Sequence, residues 1–341
     1  MNKTRWRPVT ILVLATLVVG CFRQDKVEEF VGLTMGSTYS IKYVRTEATP
    51  EPTLLKRETE AILAGIDKDL STYRPDSAIQ KFNALPAGSC ENMPESVLKL
   101  VTVGEQLAIE SDGALDLTVE PLLELWGFGP HGRVERLPTA EQIAKVRQRV
   151  DHRYLHIDHG RLCKDIELQV DFNSIAAGYA VDLVVAHLEA LGVKSYLVEI
   201  TGELRAQGKK PDGSSWRVAI EAPRENERSL QEVIELDGYS ISTSGDYRNY
   251  YEENGKRYSH TLDPQTGAPI THKLAAVTVA EPSAMRADGL STTLMVMGPE
   301  RGFDFATQKG IAALFVTHGD QGFVAQHTEA FDRLFAIKDK K

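Results

Sequence analysis

After residue 30 the chain switches repeatedly between two apolar periodicities, and the switches follow no regular beat. Leu33–Tyr43 alternates loosely and is rich in Thr, Ser and Tyr, which predicts a strand. Leu54, Leu55, Ile62, Ile66 and Leu70 recur at helical spacing and predict an amphipathic helix over 53–70. Val97, Leu100, Val101, Leu107 and Ala108 predict a second, near 95–110. Thr139 and Gln142 have the spacing of a capping box that opens a third, to about 150. Short strands are predicted at Tyr154–Asp158 and Ile166–Val170, then a long helix with Ile175, Tyr179, Leu183, Val184, His187, Leu188 and Leu191 on one face, stopped by Gly192. Tyr196–Ile200, Trp216–Glu221 and Val233–Leu236 read as strands, and Tyr247–Glu253 and Lys256–His260 flank the hairpin turn Asn254-Gly255. Leu274–Ala280 is a strand, 283–297 and 299–308 are helical, and Ile311–Thr317 and Gly322–Gln326 are strands. Such a mixture predicts an α+β fold with a largely antiparallel sheet and flanking helices, and no linker divides it.

The N-terminus reads as an address. Lys3, Arg5 and Arg7 precede Val9–Val19, an apolar run of eleven residues, and a membrane span needs about 20. The run suits the core of a secretory signal over residues 1–20, with 21–30 as a polar tether. It ends Val18-Val19-Gly20-Cys21, which resembles a bacterial lipobox and implies lipidation of Cys21; an ordinary signal or a short anchor is the alternative. Export places the remaining cysteines, Cys90 and Cys163, in an oxidising space, where they pair or stay free and buried. A formal net charge of −9 with no long basic run argues against nucleic acid as a partner.

Several familiar chemistries are excluded. Gly127-Phe-Gly-Pro-His-Gly132 has dinucleotide-fingerprint spacing, but Pro130 interrupts it and no helix follows at once. The chain has no P-loop and no H-E-x-x-H. Other segments offer hard donors. Asp288, Ser291 and Thr292 lie at i, i+3 and i+4, so a helix would put a carboxylate and two hydroxyls on one face. Such oxygens suit Mg²⁺ shared with substrate phosphate, or simply pack. Val170 to Tyr179 is a strand end feeding a helix, with Asn173 or Ser174 as N-cap; its free N–H groups either meet a phosphate or are merely capped. His260 ends a strand beside a Pro/Gly turn, as a general base, a phosphate donor or a surface histidine. Ser242–Asp246 reads as a hydroxyl-rich turn. Without a recognisable protein nucleophile, this set suits phosphoryl transfer run by positioning and a metal.

The blocks Thr34–Tyr39, Leu70–Ser77 with Phe82-Asn83, Asp112–Pro121 with Trp126–Gly129, Val170–Asp182, Tyr196–Glu203, Ser242–Tyr247, Ser259–Gly267 and Ala287–Thr292 together resemble the ApbE-type FAD:protein FMN transferases. The resemblance implies one flavin transferase domain over 31–341, on the periplasmic side of a bacterial membrane and held there by the lipid at Cys21. It implies that FAD is split, AMP released and FMN joined through a phosphoester to a Thr or Ser of an acceptor flavoprotein, a redox-complex subunit. An FAD pyrophosphatase or a non-catalytic flavin-binding lipoprotein are the alternatives. Carried over by position, Met35, Tyr73, Ala114, Leu115, Asp116, Asp171, Ala177 and Leu262 bind FAD. Ser174, through its backbone oxygen, Asp288 and Thr292 hold Mg²⁺, and His260 is catalytic. Two positions depart from the family pattern. Ala177 stands where many members carry Lys or Glu, and Thr201 replaces the first Gly of a Gly-Gly-Glu turn, a costly choice if that turn needs positive φ.

Overall fold

The computed structural model describes residues 25–132, 136–221, 230–246, 250–253, 256–320 and 322–336. In chain order the strands are β1 (Lys26–Thr34), β2 (Ser37–Arg45), β3 (Ser89–Asn92), β4 (Leu155–Asp158), β5 (Arg161–Lys164), β6 (Tyr196–Ile200), β7 (Glu203–Gln207), β8 (Trp216–Glu221) and β9 (Leu230–Leu236). They continue with β10 (Tyr239–Gly245), β11 (Tyr250–Glu253), β12 (Lys256–Ser259), β13 (Leu262–Asp263), β14 (Ala268–Pro269), β15 (Leu274–Glu281), β16 (Ala312–Gly319) and β17 (Gly322–His327). The helices are α1 (Pro52–Leu70), α2 (Ala78–Asn83), α3 (Glu95–Glu110), α4 (Glu120–Trp126), α5 (Ala140–Arg147), α6 (Ala176–Ala190), α7 (Ala284–Met297), α8 (Pro299–Lys309) and α9 (Glu329–Phe335).

An eight-stranded sheet in the order β1-β2-β6-β7-β10-β15-β16-β17 organises the molecule, and every neighbouring pair is antiparallel. Both faces are covered. Val277, Val279, Ala313 and Phe315 point into a core with α1, α3, α6 and α7, while Ala276, Ala280, Leu314 and Val316 point into a second core with β8, β9 and α9. Hence β15 is buried along almost its whole length, and its sequence is a near-continuous apolar run. A third, smaller cluster gathers Leu122, Trp126, Val150 and Leu262.

The helices over 53–70, 95–110, 283–297 and 299–308 form close to their expected limits, and Thr139 and Gln142 make both bonds of the capping box. Four expectations are corrected. Leu33–Tyr43 is not one strand but parts of β1 and β2, which turn at Met35 (φ 47°) and Gly36 (φ 73°); both angles are positive, as a type I′ turn demands, and Met35 hid the turn. β1 starts at Lys26, so residues 26–30 are sheet rather than tether. Ile166–Val170 forms no strand, whereas Arg161–Lys164 does. Ser242–Gly245 lies in β10 rather than in a turn. The Gly127 loop follows a helix, α4, which Gly127 ends in the left-handed region (φ 78°), so no dinucleotide fingerprint exists. Cys90 and Cys163 are register partners on β3 and β5 and form a disulfide. The signal, Cys21, Tyr247 and the Asn254-Gly255 turn lie outside the described residues.

Candidate active site

Helices α6 and α7 approach each other through Gly178. A Cβ there would lie 2.2 Å from the Ala284 carbonyl oxygen, so only glycine lets the two backbones come this close. Across the contact the Gly178 N–H donates to Asp288 Oδ2 at 3.0 Å. Four residues further along α6, Asp182 accepts from Ser283 Oγ (2.7 Å) and from the Ala284 and Met285 N–H groups (2.8 and 3.2 Å), which fastens it to the first turn of α7. These bonds bring the first turn of α6, which follows Ser174 in the chain, to the Asp288 turn of α7.

Asp288 is 5% exposed. Burial, and then the charge of Glu203, push its carboxyl well above the usual range, against the Gly178 N–H. The same turn of α7 carries a chain of hydroxyls. Ser291 Oγ donates to the Asp288 carbonyl at 2.9 Å and lies 3.2 Å from Ser242 Oγ and 2.8 Å from Ser244 Oγ. Ser244 Oγ lies 3.3 Å from Thr292 Oγ1. Ser291 has one proton and gives it to the Asp288 carbonyl, so Ser244 donates to it, while the Ser242 proton goes to Glu203. Glu203, which spacing did not single out, closes this group; it accepts from Thr201 Oγ1 at 2.9 Å and from Ser242, and burial raises its carboxyl. Thr201 has φ 56°, so the turn does need the left-handed region that the family's glycine would supply.

No group of three or more His, Cys, Asp or Glu side chains forms a metal cage among the described residues. The donors are instead one carboxylate, a hydroxyl and a backbone oxygen, a set that fits a Mg²⁺ keeping water and sharing phosphate oxygens. A buried carboxylate with a single protein hydrogen bond among the described residues is what such a cation would neutralise.

A second group forms around Asp171. Its Oδ1 accepts the Asn173 N–H at 2.8 Å, and its Oδ2 accepts Asn173 Nδ2 at 2.8 Å and Thr72 Oγ1 at 3.4 Å. Asp171 thus closes the turn, and the N-cap is Ile175 without a side-chain bond, not Asn173 or Ser174. The strand expected at 166–170 is replaced by a side chain. Asn83 donates to the Val170 carbonyl at 2.9 Å and accepts its N–H at 2.8 Å. Buried Lys164 donates to the Asn83 and Leu168 carbonyls at 3.1 Å, and burial pulls its ammonium down to about 8. Tyr73 stands exposed, within electrostatic reach of Asp171, Glu120 and Glu124.

The remaining positions are placed less openly. Ala114, Leu115 and Asp116 are buried. Both Asp116 oxygens are used internally, Oδ1 by Thr118 N (2.8 Å) and Oγ1 (2.7 Å) and Oδ2 by His152 N (2.9 Å), so its side chain serves the loop. Leu262 is buried in the third cluster. Ala177 is half-buried, and Met35 rims a recess with Leu63, Ala64 and Asp67. His260 packs edge-on against Phe128, 6.4 Å between ring centres, at the end of a stack that runs Trp126–Tyr258–Tyr251–Phe128. Trp126 Nε1 donates to the Gly267 carbonyl at 2.8 Å, and Gln265 Nε2 bonds the Asp112 carbonyl, which holds the His260–Gly267 loop to the 112–116 loop.

The ApbE family profile matches residues 35–315. The chain belongs to the ApbE family. It is 62% identical to the flavinyl transferase ApbE of Pseudomonas stutzeri, whose apo crystal structure covers 92% of this chain, is itself covered to 98%, and superposes with a TM-score of 0.87. The flavin transferase ApbE from Vibrio cholerae is 41% identical, with 91% of this chain and 99% of that one covered and a TM-score of 0.85. The FAD:protein FMN transferase of Escherichia coli K12 is 36% identical over 97% of this chain and 98% of its own.

Proposed function

We propose that this chain transfers the FMN part of FAD to a Thr or Ser hydroxyl of an acceptor flavoprotein, a redox-complex subunit, and releases AMP. The names of its relatives support the reading, and the approach of the buried Asp288 turn to the start of α6 carries it. The acceptor oxygen attacks the FMN phosphorus, the P–O bond to the AMP phosphate breaks, and AMP leaves with that bond's electrons. The Ser174 backbone oxygen, Asp288 and Thr292 would hold Mg²⁺, which when bound offsets charge on the diphosphate. The Gly178 N–H fixes the Asp288 carboxylate, and the Ser242–Ser244–Ser291 hydroxyls fix the Thr292 side of the same turn. His260 takes the acceptor's proton, a task suited to an imidazole near neutral pH.

We also assign the chain to the periplasmic side of a bacterial membrane, lipid-anchored at Cys21. The basic start, the apolar run ending at Cys21 and the Cys90–Cys163 disulfide support that reading, since such bonds persist in oxidising compartments. No helix among the described residues is long and apolar enough to cross a membrane.

The test supplies FAD, Mg²⁺ and a candidate acceptor, then reads covalent flavin fluorescence on a denaturing gel and AMP by chromatography. Wild type labels the acceptor in step with AMP. Asp288→Asn keeps an oxygen for the Gly178 N–H and so keeps the fold, but labelling falls by about 100-fold or more. AMP release at a rate indifferent to acceptor, with no labelled protein, would instead make the chain a pyrophosphatase.

A further inference from the structure

Glu120 is the first residue of α4 and is only 3% exposed. Its Oε2 is sealed from solvent and has no hydrogen-bond partner among the described residues. The Leu117 carbonyl accepts the Asp171 N–H at 2.8 Å, and Val119 bridges Gln169 in parallel register, so Glu120 runs alongside Asp171. Glu124, one turn further along α4, adds a third carboxyl, and no cation acts on Glu120. Burial, then Asp171 and Glu124, push its acid up to about 9, so it keeps its proton at neutral pH and offers both an O–H and an acceptor oxygen. Its neighbours differ. Asp171 and Asp116 spend both oxygens on the protein's own donors, whereas Glu120 Oε2 meets no donor among the described residues. A buried polar atom without a partner loses its hydration for nothing, and a leucine there would not.

We propose that Glu120 reads the edge of a planar heterocycle of the substrate, giving its O–H to a ring acceptor and accepting a ring N–H, and so determines specificity at the FAD site. The proposal rests on the function proposed above. FAD carries two edges of this kind, the N1/N6 edge of adenine and the N3–H/carbonyl edge of the flavin. The exposed Tyr73 ring, within electrostatic reach of Asp171 and Glu120, offers such a heterocycle a flat face. With Asp171 and Glu124 beside Glu120 the place repels a phosphate, so the diphosphate lies elsewhere, toward α6 and α7. A metal ion fits this place less well, because the Asp171 oxygens already accept three hydrogen bonds.

The test measures dissociation constants for FAD, AMP and FMN with the oxidised chain at fixed Mg²⁺, for wild type, Glu120→Leu and Glu120→Gln, together with the Tm of each unliganded protein. Glu120→Leu should bind FAD about 10-fold or more weakly while its Tm stays level or rises; Glu120→Gln, which keeps a donor and an acceptor, should lose less than about 5-fold. If adenine is the ring, AMP weakens with FAD and FMN does not; if the flavin is, the pattern reverses. On wild type, FAD methylated at flavin N3 or dimethylated at adenine N6 repeats the test without a mutation, and one of them should bind about 10-fold more weakly. Unchanged binding of every ligand by Glu120→Leu, of both methylated analogues by wild type, or a drop in Tm with affinity intact, overturns the proposal. Wild-type binding of FAD without transfer overturns the function above and leaves this inference standing, and no FAD binding by wild type overturns both.

Discussion

Thr201 sits where a β-branched residue is costly. It shares the β6–β7 turn with Gly202, and both have positive φ, 56° and 118°. Its hydroxyl offsets part of that cost by donating to the buried Glu203 carboxyl at 2.9 Å. Thr201→Gly would relieve about 1–3 kcal/mol of backbone strain. It would also lose a hydrogen bond of about 0.5–1.5 kcal/mol and loosen the unfolded chain by about 0.4–1 kcal/mol, so the net change should lie between a loss of about 1.5 and a gain of about 2 kcal/mol. Thr201→Val keeps the strain and deletes the hydroxyl, and should destabilise by about 1–2 kcal/mol. Urea unfolding of the two variants checks this. A Val variant as stable as wild type would show that the hydroxyl does not hold Glu203. The departure from the family pattern at this position was visible in the sequence; the hydrogen bond that compensates it was not, because it depends on where the Glu203 side chain turns.

Between elements, the decisive contact is the approach of α6 to α7. Gly178→Ala puts a methyl 2.2 Å from a backbone oxygen, and backbone cannot move aside as the end of a side chain can. We expect a loss of about 3 kcal/mol or more, at the upper end for overpacking, together with weaker Mg²⁺ binding as the Gly178–Asp288 bond opens. Denaturant melts and Mg²⁺ titration of the variant test both, and wild-type stability would mean that the helices separate freely. Elements of this kind were the most legible part of the sequence. α1, α3, α6, α7 and α8 announce themselves by apolar spacing, and α5 by its capping box. What escaped were elements whose partner is not local. The turn at Met35-Gly36 lacks the usual turn residues, and the segment before Asp171 is held by Asn83 and Lys164, 87 and 6 positions from Val170, instead of by a strand. At the site, Asp288 and Thr292 are legible as a helical face, but the burial of Asp288 and the hydroxyl contacts of its turn are not, because the β10 serines that meet Ser291 and Thr292 lie 47 to 49 residues away.

At the scale of the whole molecule, the packing that shapes the site also makes its folding sensitive to pH. Asp171 and Glu120 are both buried and so lie in low dielectric, and Asp171 and Glu124 add like charge near Glu120. Burial pushes Asp171 up to about 6, and burial with Asp171 and Glu124 pushes Glu120 up to about 9. In the unfolded chain both return to about 4, so above that pH the native state binds more protons than the unfolded state. The slope of unfolding free energy with pH is therefore negative, by at most about 1.4 kcal/mol per pH unit for each such group. With neither Mg²⁺ nor FAD present, stability from these groups should be greatest at about pH 4 and below, and should fall as pH rises to 8. Other groups contribute in the same interval, His272 in the opposite sense because burial lowers its imidazole, so the comparison must be between variants. Urea unfolding of wild type and Glu120→Leu at pH 5, 6.5 and 8 isolates one carboxyl. The variant should gain on wild type as pH rises, because it has no buried acid to ionise. Parallel pH profiles would mean that Glu120 ionises as it does in water, and that its burial does not persist in solution.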